Sequence, residues 1–168
     1  MEERLTVLAE ISVGLAGFSS VVVTFRRRTS SGAWKPEDVF RFRIMLEAGL
    51  FAGLFALLPA AFLGLGVAPP VLWPSLTALL LAHLAFDLAR KVRQFRRLPS
   101  GSLNRKLTIF SVSMILVVST ILGASLIGRW TPAGPGAYLF GVTWLTVYSG
   151  ITFYRLITAP IEAAGADA

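Results

Sequence analysis

Residues 44–66 read IMLEAGLFAGLFALLPAAFLGLG, an unbroken apolar stretch whose only charged side chain is Glu47, near its start. A helix of this length measures about 34 Å at 1.5 Å per residue, enough to cross the roughly 30 Å hydrocarbon core of a bilayer. Just before the stretch, Pro36-Glu37-Asp38 is typical of a helix start, with proline at the first position and acids in the first turn. The stretch therefore predicts a transmembrane helix that begins near Pro36.

The composition extends this prediction to the whole chain. Of its 168 residues 55% are hydrophobic and only 15% are charged, and the mean hydropathy is +0.70, which is unusual for a soluble domain. Four further apolar segments are long enough to cross a bilayer, at residues 5–25, 71–89, 107–127 and 137–157. The sequence predicts an all-α integral membrane helical bundle of about five transmembrane helices, with residues 1–168 forming one transmembrane domain.

The basic residues predict the orientation of the chain. The connectors 26–43 and 90–106 contain six and seven Lys or Arg residues, and Arg155 ends the last span, whereas the opposite side holds only Arg4 and Arg129. Basic connectors are retained in the cytoplasm. We therefore expect a multi-pass protein of the cell (inner) membrane with its N-terminus out and its C-terminus in. The net charge of +7 then reflects topology, and no nucleic-acid partner is predicted.

The sequence gives little support for catalysis. It has no cysteine, which excludes disulfides, thiolate metal sites and cysteine nucleophiles, and His83 is its only histidine. It has no GxSxG motif and no phosphate-binding glycine loop before a helix. We expect the protein not to be an enzyme and to have no metal site and no cofactor.

The first span contains the main candidate residues for function. On a helical wheel one face is bulky and apolar, and the opposite face is small or polar. This second face contains a candidate ion path with Phe18 or Val21 as its constriction, formed by Glu10, Gly14, Gly17, Ser20 and Thr24. Beside it runs a second ridge of small side chains that includes Ser12 and Ala16.

Two interpretations of this small face remain open. In the first, the face is wet, and the Glu10 carboxylates of an oligomer select cations at the outer mouth of a pore. In the second, small residues at four-residue spacing let helices pack closely. Glu10 lies one to two turns inside the apolar stretch, where a carboxylate is costly unless it is paired, protonated or wet, or it lies at the outer headgroups.

The second span combines an acid with two glycines. Glu47 follows Arg43 by one helical turn, so it is either a binding or gating carboxylate or half of an ion pair at the inner interface. Gly49 and Gly53 form a GxxxG pattern, which predicts a helix-packing face.

The third span carries two titratable residues, His83 and Asp87, on one helical face. Asp87 could orient His83 as a proton relay or pH sensor. In the other interpretation, Asp87 pairs with Arg90 or Lys91 near the interface, and His83 bonds a neighbouring helix.

Short motifs in the first two spans resemble known groups. Three segments are similar to those of small bacterial multi-span proteins without an assigned activity, which implies a membrane protein. They are Leu8-Ala9-Glu10-Ile11, Gly17-Phe18, and Pro36-Glu37-Asp38 followed by Arg41 and Arg43. The first span also resembles the pore helix of Orai calcium channels in its outer glutamate, its Gly-Phe pair, its valines and its inner basic cluster. Here the chain direction is reversed and one more span is present.

These features lead to a functional expectation with alternatives. The first is a homo-oligomeric, cation-preferring pore in the lipid bilayer, with the first span lining the path and ions as ligands. The second is a non-conducting membrane module that anchors or regulates a partner through its basic cytoplasmic connectors. A lipid-active enzyme is the third and would require clustered titratable groups.

Overall fold

The computed structural model describes residues 2–29, 36–95, 103–128 and 134–166, with side chains for 3–18, 21, 42–43, 45–93, 109–128 and 134–154. Within these ranges the backbone forms five α-helices and no strand. The helices are α1 (Glu2–Thr29), α2 (Pro36–Gly64), α3 (Pro69–Phe95), α4 (Leu103–Leu126) and α5 (Pro135–Ala166). The side chains of the two predicted basic connectors lie largely outside the described residues.

Three helices begin at a proline: α2 at Pro36, α3 at Pro69 and α5 at Pro135. Proline suits this position because its φ is already helical and its missing N–H would have no intrahelical acceptor there. The helix start predicted at Pro36 is confirmed.

The end of α2 is set by a glycine in the left-handed region. Gly66 has a φ of 81°, and the N–H groups of Gly66 and Val67 donate to the carbonyl oxygens of Leu63 and Phe62. These two bonds close the helix in a Schellman motif, whose left-handed position favours glycine. The helix therefore ends at Gly64, slightly before the end of the second span expected from hydropathy.

Helices long and apolar enough to cross a membrane are present. Among the described residues three qualify, at Met45–Gly64, Pro69–Arg93 and Ile109–Leu126. Large apolar side chains on their surfaces are exposed, including Leu54 on α2, Phe86 on α3 and Leu116 on α4. A water-soluble chain rarely presents so much apolar surface, whereas lipid solvates it without cost. For the part of the chain that the structure describes, the prediction of an all-helical fold with membrane-length helices is confirmed.

The described chain divides into two compact units, of which the first comprises Met1–Leu58 and Val142–Ala168. This unit contains α1, the first part of α2 and most of α5. Small and hydroxyl-bearing side chains are frequent in its core, which consists of Leu5, Ala9, Ser12, Ala16, Met45, Ala52, Phe55, Ala56, Leu145, Thr146 and Ser149. Such side chains let helix backbones approach closely.

The second unit, Pro59–Gly141, contains α3 and α4, which pack against each other. Buried residues recur at seven-residue intervals along both helices, namely Thr77, Leu84 and Lys91 on α3 and Ser111, Val118 and Ser125 on α4. A seven-residue repeat is the spacing of a coiled-coil seam. The α3–α4 seam, as we call these six residues, is polar at both ends and apolar between them.

Gly141, in the first turns of α5, fits against one leucine of α3 and one of α4 only because it has no side chain. A Cβ at its position would lie 2.6 Å from Cδ2 of Leu80 and 3.3 Å from Cδ1 of Leu122. Both leucines are fully buried, so neither can rotate away freely.

We expect Gly141→Val to destabilise the protein by about 1–3 kcal/mol, because the added methyl groups overpack a filled region. The matched control is Gly123→Val in α4, where a Cβ would meet nothing within 4 Å. Thermal unfolding of both purified variants in detergent measures the difference. Equal midpoints for the two variants would contradict the tight approach at Gly141.

Candidate functional site

One side of α1 is packed inside the first unit. Its buried residues, Leu5, Ala9, Ser12 and Ala16, follow one another at three- or four-residue spacing and so form a single ridge. Ser12 is fully buried, and the two alanines are nearly so. We call these four residues the packed ridge of α1.

The opposite side of α1 is exposed along its described length. Glu10, Gly14, Gly17 and Val21 lie on it at three- or four-residue spacing, and all four are exposed. A Cβ added at Gly14 or Gly17 would meet no atom within 4 Å. We call these four residues the open stripe; it holds four of the seven residues predicted for an ion path.

The other three residues predicted for the ion path are Phe18, Ser20 and Thr24. Phe18 borders the open stripe and is 59% exposed, and its ring meets Phe153 of α5 edge-on with centroids 5.9 Å apart. The side chains of Ser20 and Thr24 lie outside the described residues. The structure thus brings Glu10, Gly14, Gly17, Phe18 and Val21 to one side of α1.

A hydrogen bond fixes the rotation of α1. The hydroxyl of Ser12 lies 3.0 Å from that of Thr146 on α5, and the Thr146 hydroxyl donates to the carbonyl oxygen of Val142 at 3.2 Å. Since Thr146 uses its proton on Val142, its oxygen accepts the proton of Ser12. Both side chains are buried, so rotating α1 to bury the open stripe would break this bond.

The two glycines of α2 lie against the packed ridge. A Cβ at Gly49 would lie 3.5 Å from the backbone oxygen of Ser12 and 3.1 Å from Oγ of Ser149, and one at Gly53 would lie 3.5 Å from Cγ2 of Val13. Ser149 itself donates to the carbonyl oxygen of Met45 at 3.2 Å. Helix α2 therefore approaches α1 closely on the side of the packed ridge, whereas the open stripe on the other side is exposed.

Glu47, also on α2, is paired. Nε of Arg43 donates to Oε1 of Glu47 at 2.8 Å, and the two side chains are 73% and 30% exposed. This is the ion pair of the second interpretation of Glu47. Pairs this exposed contribute about 0.5 kcal/mol, so the contact orients Glu47 more than it stabilises the fold.

Asp87, on α3, is engaged by a buried lysine. Nζ of Lys91 lies 2.8 Å from Oδ2 of Asp87 and donates to Oγ of Ser111 on α4 at 2.9 Å. The Lys91 side chain is only 7% exposed, against 29% for Asp87. Half-buried His83 lies one turn earlier on α3. The carboxylate therefore balances a charge at one end of the α3–α4 seam, as in the ion-pair interpretation.

Sequence reasoning missed the partners Ser111 and Thr146. Both are small hydroxyl residues distant in the chain from Lys91 and Ser12, so no local spacing links them. The sequence does contain an indication for Ser111: it precedes Val118 and Ser125 in a seven-residue repeat, which is typical of a buried helix face.

The described residues set limits on the chemistry of the site. Within them, no three His, Asp or Glu side chains come together in a metal-binding group. Neither a protein-family model nor a curated protein nor a solved structure matches the chain.

We expect Asp87→Leu to destabilise the protein by about 3 kcal/mol, because it leaves the buried Lys91 ammonium without its counter-charge. Adding Lys91→Met should recover most of the loss, since it removes the charge that had become unpaired. Thermal unfolding in detergent of the two single variants and the double variant checks this. A double variant whose loss equals the sum of the two singles would show that the pair is not coupled.

Proposed function

We propose that the chain crosses the cell (inner) membrane five times, with its N-terminus outside, and assembles into a homo-oligomer whose open stripes line a cation path. The membrane-length helices and their apolar surfaces support the bilayer setting. The distribution of Lys and Arg in the sequence supports the orientation. In this setting α1 and α5 are the first and fifth spans.

The exposure of Glu10 on α1 carries the proposal. Glu10 lies about 12 Å along α1 from Glu2, among apolar residues, on the side opposite the packed ridge. A carboxylate facing lipid well inside a span costs about 3 kcal/mol, so such residues line water or meet another protein surface. The hydrogen bond between Ser12 and Thr146 prevents α1 from turning Glu10 inward.

The rest of the open stripe favours a path between copies over burial against a partner. Gly14 and Gly17 leave room beside the helix, and their exposed backbone gives a polar wall without bulky side chains. Val21 is 47% exposed one turn further on, which suits an apolar constriction that gates by dewetting. Glu10 near the outer mouth would attract cations and repel anions.

Cysteine scanning tests whether the open stripe is wet. The chain has no cysteine, so single cysteines at Glu10, Gly14, Gly17 and Val21 give clean reporters for a small water-soluble thiol reagent. We expect these positions to react in lipid vesicles. Ala9→Cys, on the packed ridge, is the buried control and should stay unreactive.

A second control separates water from lipid. Ile11 is 47% exposed on the flank of the open stripe, so Ile11→Cys should be protected if lipid covers it. Reaction at the open stripe with protection at Ile11 supports a wet path. Protection of the whole open stripe, at rest and under changed voltage or osmotic load, would contradict the pore proposal and favour the non-conducting module.

Flux measurements test Glu10 directly. We expect Glu10→Gln to lower cation flux into vesicles by about tenfold and to weaken the preference for cations over anions, because the ring of charge is lost. Glu3→Gln, which neutralises another exposed carboxylate nearer the start of α1, is the matched control and should keep most of the flux. Equal flux in both variants and the parent would contradict the role of Glu10.

A further inference from the structure

Two hydroxyls in the α3–α4 seam are buried without a hydrogen-bond partner among the described residues. They are Oγ1 of Thr77 and Oγ of Ser125, in residues that are 0% and 2% exposed. An unsatisfied buried hydroxyl costs about 1–3 kcal/mol, and the cost persists in a bilayer because lipid tails offer no partner.

Other hydroxyls of the chain find a partner in their own helix. Thr120, Thr146 and Thr152 each donate to the carbonyl oxygen four residues earlier, at 2.8–3.2 Å. This local bond is the usual solution for a hydroxyl in a membrane helix. Thr77 and Ser125 do not adopt it, so both hydroxyls remain available for another group.

The register of the seam brings Thr77 and Ser125 to the same level. Lys91 contacts Ser111, and Leu80 and Leu122 both border the Cβ position of Gly141. Leu80 precedes Lys91 on α3 by as many residues as Leu122 follows Ser111 on α4, so the two helices run antiparallel with these pairs at matching levels. One turn further in the same antiparallel register, Thr77 stands opposite Ser125.

Tyr138 of α5 closes this level of the unit. It lies one turn before Gly141, is fully buried, and its ring centroid is 6.1 Å from that of Trp73 on α3. Thr77 and Ser125 are themselves buried, which excludes anything as large as a lipid headgroup. The apolar layers of Leu80 and Leu122 separate the level from the Lys91–Ser111 end of the seam.

We propose that Thr77 and Ser125 hold one water molecule between α3 and α4. Water fits the chemistry because it donates to one hydroxyl and accepts from the other, and as a neutral molecule it needs no counter-charge beside Thr77 and Ser125. It also fits the burial, since a bound water needs only about 10–15 Å³ of probe-occupied space. The site is independent of the proposed cation path.

With the water bound, the hydroxyls at both ends of the seam have hydrogen-bond partners. At one end a lysine satisfies Ser111 directly. At the other end, about 21 Å away along α3, the water supplies the hydrogen bonds that the Thr77 and Ser125 hydroxyls do not find within the protein. Removing either hydroxyl leaves the water with fewer partners, so the two residues act as one unit.

Solid-state NMR of the full chain in lipid bilayers tests the site. With ¹³C-labelled threonine and serine, magnetisation transferred from water should reach Thr77 and Ser125 about threefold faster than Thr146, which is also buried but is bonded to Ser12. Equal rates at Thr77 and Thr146 would overturn the proposal.

Substitution separates a held water from general penetration of solvent. In Thr77→Val, which keeps the shape of the side chain, the transfer to Ser125 should fall to the rate of Thr146. If Ser125 keeps its fast transfer, solvent reaches it without Thr77 and the shared site is wrong.

A double-mutant cycle gives a second readout that does not depend on labelling. Thr77→Val and Ser125→Ala should each lower the thermal midpoint, and the double variant should fall no further than the worse single variant. Additive losses would show two independent hydroxyls and overturn the proposal.

Discussion

The hydrogen bond between Ser12 and Thr146 is the interaction on which the proposed function depends. It joins α1 to α5 through two buried hydroxyls, and Gly49 of α2 lies close to the backbone of Ser12 at the same place. A helix with two faces of small side chains has two plausible rotations. This contact selects one of them, because breaking it would leave the buried Ser12 hydroxyl without its acceptor. The rotation it selects puts Glu10 on the exposed side.

Polar contacts play a different part in the second unit. There Lys91, Asp87 and Ser111 form a satisfied group at one end of the α3–α4 seam, and Thr77 and Ser125 form an unsatisfied pair at the other. Leucine layers between them supply packing but little orientation, since one apolar contact resembles the next. The hydrogen bond from Lys91 to Ser111 therefore fixes the register of the two helices, as a buried polar residue does in a coiled coil.

Local chemistry was predictable and long-range pairing was not. Proline at a first helical position identified the start of α2, and hydropathy identified membrane-length helices, because both signals lie within one segment. Small residues in α1 form two ridges with the same period, so periodicity could not decide which one packs. That choice depends on Thr146, far away in the chain. Likewise the carboxylate of Asp87 had several basic neighbours, and only the packing of α4 singles out Lys91.

Burying the α1 ridge within one chain has a consequence for assembly. If glycines at positions 14 and 17 served only to pack α1 inside its own unit, they would meet atoms of α2 or α5, as Gly49 meets Ser12. They meet none. Lipid would solvate an alanine or leucine at these positions equally well, and either residue would lose less conformational entropy than glycine on joining the helix. Glycine beside an exposed carboxylate is better suited to an environment in which backbone and acid are both hydrated. In the proposed assembly, a water-filled space shared between copies of α1 would provide that environment.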